Sequence, residues 1–311
     1  ALFEGSEEAP GIPGLGLFPG MVRRFQTSLS IPHMGWNTIH AHQPSSLLSG
    51  LSGREHLYFV HSYHVVPSDS AHILCTTTYG QEFVSAVQQG NIIATQFHPE
   101  KSGPVGLTLL QNFLQQAEPQ QAQPQSPPAG LAKRIIACLD VRSNEQGDLV
   151  VTKGDQYDVR DQGQVRNLGK PVQLAKDYYD QGADEITFLN ITAFRDSPLS
   201  DLPLLEVLRQ TSKQVFVPLT IGGGIRDYTD SNGHYHSALD VASAYFRSGA
   251  DKVSIGSDAV AIVEDSLQNG PSGTSSIESI ARVYGNQAVV ISVDPRRVYV
   301  RSPQDVRHEV I

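Results

Sequence analysis

Two carboxylates that end similar apolar runs are the first candidates for chemistry in this 311-residue sequence. Asp140 ends the run at 134–140 and Asp294 ends the run at 288–294, each with an arginine two residues further on. In barrels built from alternating strands and helices, the carboxyl ends of the strands carry the catalytic groups. Two facing carboxylates there can act as general acid and general base, because different surroundings set different pKa values. A helix cap or a loop-bracing role for Asp140 and chance similarity of the two runs are the alternatives.

His98 and Glu100 form a second candidate group, separated by Pro99 at the end of a predicted strand over 91–97. An imidazole oriented by a carboxylate is the base that activates a serine or cysteine nucleophile. The alternative is a surface turn whose His and Glu side chains are only solvated. The residues alone leave both interpretations open.

Glycine-rich strand ends form a third candidate group. Gly222-Gly-Gly224 follows a predicted strand, and the next strand ends in Ser-Ile-Gly-Ser at 254–257. Bare backbone amides at the start of a helix favour phosphate. The spacing does not match Gly-x-Gly-x-x-Gly, so a dinucleotide is not expected. Glycines required only by the turns are the alternative.

Regular alternation of strands and helices in the second half of the chain must position Asp140, Asp294 and the glycines. Predicted strands lie at 134–140, 149–152, 185–190, 215–221, 252–255 and 288–293, and predicted helices at 171–181, 202–211, 237–248 and 276–284. Such alternation predicts a parallel sheet with crossover helices. Five of these strands are of the strand–helix type, so a complete eight-stranded barrel needs three more, which we expect beyond this chain.

The first half of the chain predicts an antiparallel or mixed sheet. Strand-like runs lie at 21–25, 35–39, 56–62, 73–77 and 91–97, and 83–89 suits either a strand or a short helix. A helix is predicted over 106–116, with Leu107, Leu110, Phe113 and Leu114 on one face. A Pro/Gln-rich segment at 117–130 is predicted to be a linker between domains at 1–116 and 131–311.

Composition excludes several classes of protein. A formal net charge of -9 argues against a partner that is nucleic acid or an anionic membrane, although a local site for a small phosphate ester is compatible with it. Cys75 and Cys138 both lie in apolar runs, where we expect small buried residues in a reducing compartment, cytoplasm or plastid. We identify no membrane span, no metal-ligand cluster and no nucleotide-cofactor motif, so no cofactor is expected.

Residues 1–116 resemble the glutaminase domain of the imidazole glycerol phosphate synthase family, a class I, triad-type glutamine amidotransferase. The resemblance rests on Ile-Pro-His-Met-Gly-Trp-Asn at 31–37, Tyr-Phe-Val-His-Ser-Tyr at 58–63 and Gln-Phe-His-Pro-Glu-Lys-Ser at 96–102. It implies that His98 and Glu100 activate a cysteine in a Gly-x-Cys-x-Gly elbow. In the family, that elbow lies just before a segment like 1–5, so we expect the cysteine upstream of residue 1. We therefore expect the chain as given to lack glutaminase activity.

Residues from 134 onward resemble the cyclase of the same family. Matching segments lie at 134–142, 151–155, 167–171, 184–190, 222–226, 249–255 and 288–297. The resemblance implies an α/β fold: the C-terminal part of a class I glutamine amidotransferase-like domain, then a partial (β/α)8 TIM barrel. Both halves on one chain are similar to the fused, eukaryotic form, and the polar insert around 155–165 fits that form.

The resemblance also implies roles for single residues, ligands and partners. Asp140 and Asp294 would act in cyclisation, and glutamine and a phosphoribulosyl-formimino-aminoimidazole carboxamide ribonucleotide would be the substrates. The remaining implied sites are Lys153, Gly224, Gly256 and Ser257 for the substrate and one phosphate, and Arg134, Glu185 and Lys252 for an ammonia gate. Lys101 follows the His-Pro-Glu turn and Asp251 precedes the strand that starts at Lys252, so we expect both at the surface where the two domains dock within the chain. A sugar-phosphate isomerase with the same paired aspartates, or a non-catalytic remnant, are the alternative functions.

Overall fold

The structure is a computed structural model. It describes residues 2–115, 132–143, 148–152, 160–161, 164–165, 170–191, 199, 202–293 and 302. The predicted site residues Lys153 and Asp294 and the predicted linker at 117–130 lie outside these residues, as does the side chain of Ser257.

The first half of the described chain is mostly strand and ends in one helix. Its strands are β1 (Phe3–Ser6), β2 (Phe18–Arg24), β3 (His33–Thr38), β4 (His40–Ala41), β5 (His56–His61), β6 (Tyr63–Pro67), β7 (Ile73–Tyr79), β8 (Gln81–Gln89) and β9 (Ile92–Thr95), and its helix is α1 (Gly103–Gln115). Seven of these strands form one mixed sheet, with β1 parallel to β2 and the other pairs antiparallel. Strands β3 and β5 form a separate antiparallel pair.

The mixed sheet confirms the expectation for the first domain and resolves the ambiguous segment at 83–89 as strand β8. Strands β1 and β6 were not predicted, because short segments with glycine or proline carry a weak period-two pattern. Helix α1 begins three residues earlier than predicted. Its buried contacts come from Gly106 and Leu109, whereas the expected apolar stripe is exposed, from 37% at Leu107 to 79% at Leu114.

The second half of the described chain alternates between strands and helices. Its elements are β10 (Ile136–Ser143), β11 (Leu149–Thr152), β12 (Arg160–Asp161), β13 (Gln164–Val165), α2 (Pro171–Asp180), β14 (Glu185–Asn190), α3 (Pro203–Thr211), β15 (Leu219–Gly222), β16 (Tyr228–Thr229), β17 (Tyr235–His236), α4 (Ala238–Arg247), β18 (Lys252–Ile255), α5 (Ser257–Asn269), α6 (Ser276–Tyr284) and β19 (Val289–Ile291). The predicted boundaries of β11, β14, β18 and α6 are confirmed, and helix α5 was missed.

The main sheet of this half has the strand order β11-β10-β14-β15-β18-β19 among the described residues. All pairs from β10 to β19 are parallel, as predicted, while β11 pairs antiparallel with β10 as a hairpin. Consecutive parallel strands are neighbours in this sheet, and buried residues of its helices form one core cluster with one face of the sheet, as in a barrel. Leu139, Val141, Ile186 and Phe188 are at most 1% exposed and pack on that helical face.

Candidate active site

His98 and Glu100 form a hydrogen-bonded pair on the turn after β9. Nδ1 of His98 lies 2.9 Å from Oε1 of Glu100. The hydrogen bond from His98 holds the pKa of Glu100 below its ordinary value, although partial burial opposes this. Because the carboxylate accepts the Nδ1 proton, the neutral imidazole presents Nε2 as its basic nitrogen. Such a pair can accept a proton from a nucleophile.

The turn that carries this pair is held by the backbone of Tyr58 in β5. The backbone N–H of His98 donates to the carbonyl of Tyr58 at 2.9 Å. The N–H of Tyr58 donates to the Ser102 hydroxyl at 2.9 Å, and that hydroxyl donates to the carbonyl of His98 at 2.6 Å. A Cβ atom at Gly106 would overlap the carbonyl oxygen of Pro99, so glycine is required where α1 packs against the turn.

The two thiols of the described chain do not supply an evident nucleophile for His98. Cys75 is fully buried, as predicted, and burial raises the pKa of its thiol to about 12. A thiol in such surroundings stays protonated and unreactive near neutral pH. Cys138 belongs to the second domain, and the expectation that it is buried is wrong. It is exposed because its neighbour Leu139 takes the position facing the helices.

A hydrogen-bonded chain through two buried histidines lies in the same domain, and sequence reasoning missed it. Nδ1 of His33 lies 3.0 Å from Nε2 of His61, and Nδ1 of His61 lies 2.8 Å from the carbonyl oxygen of Tyr63. Since a carbonyl only accepts, His61 donates from Nδ1 and therefore accepts at Nε2 from His33. Burial lowers the pKa of His33 to about 3 and that of His61 to about 4. Both imidazoles are neutral at pH 7.

The register of strands β3 and β5 explains why these hydrogen bonds between histidines form. His33 and His61 are cross-strand partners in the β3–β5 pair, so their side chains lie on the same face. Nδ2 of Asn37 lies 3.4 Å from the remaining nitrogen of His33. Both histidines belong to motifs noted in the sequence, but only the pairing of the two strands brings them together.

A cavity of about 400 Å³ opens beside the end of β5. Polar residues of its wall include Glu8, His61, Ser62, Tyr63, Ser85 and Gln96, and Gln287 of the second domain also reaches it. The hydroxyl of Ser85 is buried without a hydrogen-bond partner among the described residues. The size and mixed polarity of this cavity suit a small polar ligand.

Lys101 and Asp251 join the two domains. Nζ of Lys101 lies 2.8 Å from Oδ2 of Asp251, with side chains 19% and 26% exposed. A backbone hydrogen bond of 2.9 Å from Gly103 to Phe216 crosses the same boundary. Trp36 of the first domain is buried against the core of the second. The predicted docking residues therefore lie in contact.

Glu185 lies between two cations at the amino ends of the parallel strands. Its Oε1 lies 2.7 Å from Nζ of Lys252 and its Oε2 lies 3.3 Å from Nη1 of Arg134. The hydroxyl of Thr220 donates to Oε1 at 2.7 Å. Glu185 and Lys252 are each 3% exposed, and burial lowers the pKa of Lys252 while Glu185 opposes that effect. The ring centroid of Tyr58 lies 5.9 Å from Nζ of Lys252.

Asp140 lies on the face of the sheet opposite the helices. On this face, residues that are register partners on neighbouring strands form rows across the sheet. One row consists of Cys138, Thr187, Thr220 and Lys252. Asp140 belongs to the next row toward the carboxyl ends of the strands. It lies four residues beyond Ile136, the register partner of Glu185, which corresponds to about 13 Å along the strand. Strand β10 continues three residues beyond Asp140, because β11 pairs with its end, so Asp140 is not the last residue of the strand as predicted.

A second cavity, of about 470 Å³, lies at the carboxyl ends of β14, β15 and β18. Gly224 and Gly256 line it, as expected for residues that let backbone approach a ligand. Gly223 and Gly224 adopt φ values of 88° and 74°, which favour glycine. Ser257 begins helix α5 at the rim, and its side chain lies outside the described part of the structure.

Among the described residues, no cluster of three or more His, Cys, Asp or Glu side chains has the arrangement of a metal site. Within the same residues, no helix has the length and apolarity needed to cross a membrane.

The histidine biosynthesis protein family matches residues 134–309, more than half of the chain. The chain belongs to this family. Residues 19–117 match the class I glutamine amidotransferase family. The chain thus has an α/β fold, with an amidotransferase-like domain followed by a barrel-type domain, and the predicted fold class is confirmed.

Known relatives carry the same pair of domains. The chain is 58% identical over 319 residues to the chloroplastic imidazole glycerol phosphate synthase hisHF of Arabidopsis thaliana, covering 100% of this chain and 54% of that protein. It is 54% identical over 335 residues to the hisHF synthase of Emericella nidulans, covering 100% of this chain and 61% of that protein.

A relative described as a synthase subunit is also similar. The imidazole glycerol phosphate synthase subunit HisH of Deinococcus radiodurans is 51% identical over 120 residues, covering 38% of this chain and 56% of that subunit. The chain spans between half and two thirds of the length of the fused relatives.

Proposed function

We propose that the protein is a bifunctional imidazole glycerol phosphate synthase of histidine biosynthesis. Its first domain hydrolyses glutamine, and its second domain uses the ammonia to convert the phosphoribulosyl-formimino-aminoimidazole carboxamide ribonucleotide into imidazole glycerol phosphate and aminoimidazole carboxamide ribonucleotide. The observation that carries the proposal is the contact between Lys101 and Asp251, which joins a His–Glu pair on one domain to the charged end of a parallel sheet on the other.

In the glutaminase reaction, Nε2 of His98 accepts the proton of a cysteine nucleophile while Glu100 orients the imidazole. The thiolate attacks the glutamine amide, ammonia leaves, and water hydrolyses the thioester to glutamate. The cavity beside His61 and Ser62 is of a size for glutamine, and the Glu8 carboxylate at its wall suits the ammonium group of an amino acid. The enzyme needs a cysteine other than Cys75, whose thiol is buried and protonated.

Ammonia passes from the first domain to the second through the contact region. A cavity of about 190 Å³ is lined by His98 and Tyr58 of the first domain and by Asp251 and Lys252 of the second. Lys252, Glu185 and Arg134 then close the amino end of the sheet and act as the gate. Beyond this gate, the polar row with Thr187 and Thr220 leads toward Asp140.

In the cyclase reaction, Asp140 and Asp294 move protons as the imidazole ring closes. Asp140 lies on the polar face of the sheet, on the same side as Thr187 and Thr220, which supports its part in this proposal. Backbone amides near Gly224 and Gly256 hold one substrate phosphate, and Lys153 and Ser257 complete the substrate contacts. No cofactor and no metal take part in this scheme, and nucleic acid and membrane are not among the proposed partners.

A reducing compartment, cytoplasm or plastid, suits the two cysteines, which form no disulfide within the described residues. The similarity to a relative described as chloroplastic supports the plastid as a candidate location.

The test uses the full-length protein with glutamine labelled by ¹⁵N at its amide and with the ribonucleotide substrate. Label in the imidazole ring, retained in the presence of excess unlabelled ammonia, is the expected result. The synthase function would be excluded if the protein released glutamate from glutamine but closed no imidazole ring, whether glutamine or ammonia was the nitrogen source. Ring closure from ammonia alone would retain the cyclase and exclude the glutaminase.

A further inference from the structure

Arg226 is the basic residue among those that line the 470 Å³ cavity, and the acidic residues Asp227 and Asp258 line it too. A cavity with this charge balance does not by itself attract a phosphate ester. The positions of the three charged side chains therefore decide which ligand the cavity prefers.

The carboxylate of Asp227 is already engaged in holding the neighbouring chain. Its Oδ1 accepts the backbone N–H of Ala238 at 2.8 Å, and its Oδ2 accepts the hydroxyl of Tyr235 at 2.7 Å. These bonds tie the segment after Arg226 to the β16–β17 hairpin and to the start of α4. On the other side, the backbone N–H of Arg226 donates to the carbonyl of Gly224 at 3.1 Å. The backbone of Arg226 is thus fixed beside the glycine turn.

The side chain of Arg226 is less constrained than its backbone. Nε of Arg226 lies 3.8 Å from Oδ2 of Asp258, which is longer than a hydrogen bond, and the side chains are 40% and 36% exposed. A loose ion pair of this kind contributes little to stability. Asp258 lies in the first turn of α5, which begins directly after Gly256. The pair therefore spans the two loops that carry Gly224 and Gly256.

We propose that Arg226 selects phosphate esters in this cavity and that Asp258 is its partner while the cavity is empty. When the phosphate of the substrate binds between the two glycine loops, the guanidinium leaves Asp258 and donates two parallel hydrogen bonds to phosphate oxygens. A planar guanidinium forms such bidentate contacts, and a hydrogen bond to a charged group is stronger than the loose pair it replaces. This inference rests on the proposed function, because it assigns a contact to the phosphorylated substrate.

The proposal predicts opposite effects for the two partners. Arg226→Gln removes the phosphate contact and leaves Asp258 to repel the ligand, so affinity falls by about 10- to 100-fold. Asp258→Asn frees Arg226 and removes a competing negative charge, so affinity stays the same or rises. Arg226→Lys keeps the charge but loses the bidentate geometry, and gives an intermediate affinity.

The experiment measures binding of sn-glycerol 3-phosphate and of inorganic phosphate to the full-length protein by calorimetry, together with KM and kcat of the ammonia-dependent cyclase. Arg209→Gln is the matched control, because it removes one cation from a comparable exposed ion pair with Glu206 outside the cavity. Melting temperatures of all variants report whether each remains folded.

A higher dissociation constant and KM in Arg226→Gln, with neither raised in Asp258→Asn or in the control, would support the proposal. Equal losses in Arg226→Gln and Asp258→Asn would identify a structural ion pair and overturn it, as would unchanged affinity in Arg226→Gln or absence of phosphate-ester binding in the wild type. Wild-type protein that binds glycerol phosphate but never closes the ring would instead contradict the proposed function, and the binding constants of the variants would still decide the role of Arg226.

Discussion

Lys101 and the backbone of Leu219 share one acceptor, Oδ2 of Asp251. The ammonium of Lys101 lies 2.8 Å from this oxygen, and the N–H of Leu219 donates to it at the same distance. A single carboxylate oxygen thus joins the turn of His98 in the first domain to the start of strand β15 in the second. Lys101 and the start of β15 are therefore both held by the same carboxylate.

Lys101→Met tests this connection without disturbing the second domain. It removes the ion pair but leaves Asp251 bonded to Leu219, so we expect a loss of less than about 1 kcal/mol in stability. Stimulation of glutaminase turnover by a cyclase ligand should fall strongly in the full-length protein. Asp251→Ala is the comparison variant, and it should also lower the melting temperature, because the Leu219 N–H loses its acceptor at a cost of about 1–3 kcal/mol. Normal stimulation in Lys101→Met with a clearly lower melting temperature would contradict this assignment.

Glu185→Gln tests the charged cluster at the amino ends of the strands. Glu185 is the acidic partner of Lys252 and Arg134, and Lys252 is 3% exposed. Removing the acid leaves a buried cation without its counterion, which typically costs about 3–5 kcal/mol. Urea unfolding should show this loss, and Arg134→Gln, at the more exposed end of the cluster, should show a smaller one. Equal, small losses in both variants would show that water already solvates Lys252.

The buried histidines predict a pH dependence of stability. Burial lowers the pKa of His33 to about 3 and that of His61 to about 4, whereas an unfolded histidine titrates near about 6.5. As the pH falls from about 6.5 toward 4, the unfolded chain binds protons that the folded chain does not. Stability therefore falls with decreasing pH, by up to about 1.4 kcal/mol per pH unit for each histidine.

His33→Gln should remove the contribution of one proton from this slope of stability against pH, whereas His40→Gln, at an exposed position, should leave the slope unchanged. Urea unfolding of each variant between about pH 7 and pH 5 measures the slope. This window lies above the range in which carboxylates with lowered pKa values, such as Glu100, lose their contribution. Identical slopes in wild type and His33→Gln would contradict the assignment of a neutral, buried His33.

Asp140→Asn and Asp294→Asn test the proposed acid–base pair. Asparagine keeps the size and hydrogen-bonding shape but cannot transfer a proton, a step that typically contributes about 10²- to 10⁴-fold. With free ammonia supplied, so that the glutaminase is bypassed, cyclisation turnover should fall by that order in each variant. KM should change much less, because the phosphate contacts are retained. Near-normal turnover in both variants would show that these carboxylates only brace the sheet.

Local patterns in the sequence were sufficient to predict most of the main strands and helices of the second domain. The β-branched runs at β14 and β18 and the capping box that begins α6 at Ser275 are signals encoded within a few residues. Helix α5 was missed, and its apolar residues Val260, Val263 and Leu267 are exposed rather than packed. The predicted domain boundaries at 116 and 131 stay a prediction.

The direction in which a side chain points was harder to predict. Cys138 and Asp140 alternate with Leu139 and Val141 along β10, whereas the apolar run predicts a strand that is buried on both faces. The strand order of the sheet puts the helices on one face among the described residues, which leaves the other residues of the alternation on the polar face. A run of apolar residues predicts a strand, but it does not indicate which of the two faces of that strand is covered by helices.

The sequence by itself determined the two domains, their fold class and the chemical types of the candidate groups, because motifs and periodicity are local properties of the chain. Tertiary structure alone decided that His33 meets His61, that Lys101 and Asp251, both expected at the docking surface, lie in direct contact, and that Arg226 faces Asp258. These contacts join residues 28, 150 and 32 positions apart. Strand register and domain docking bring such residues together, and neither is encoded in any one segment.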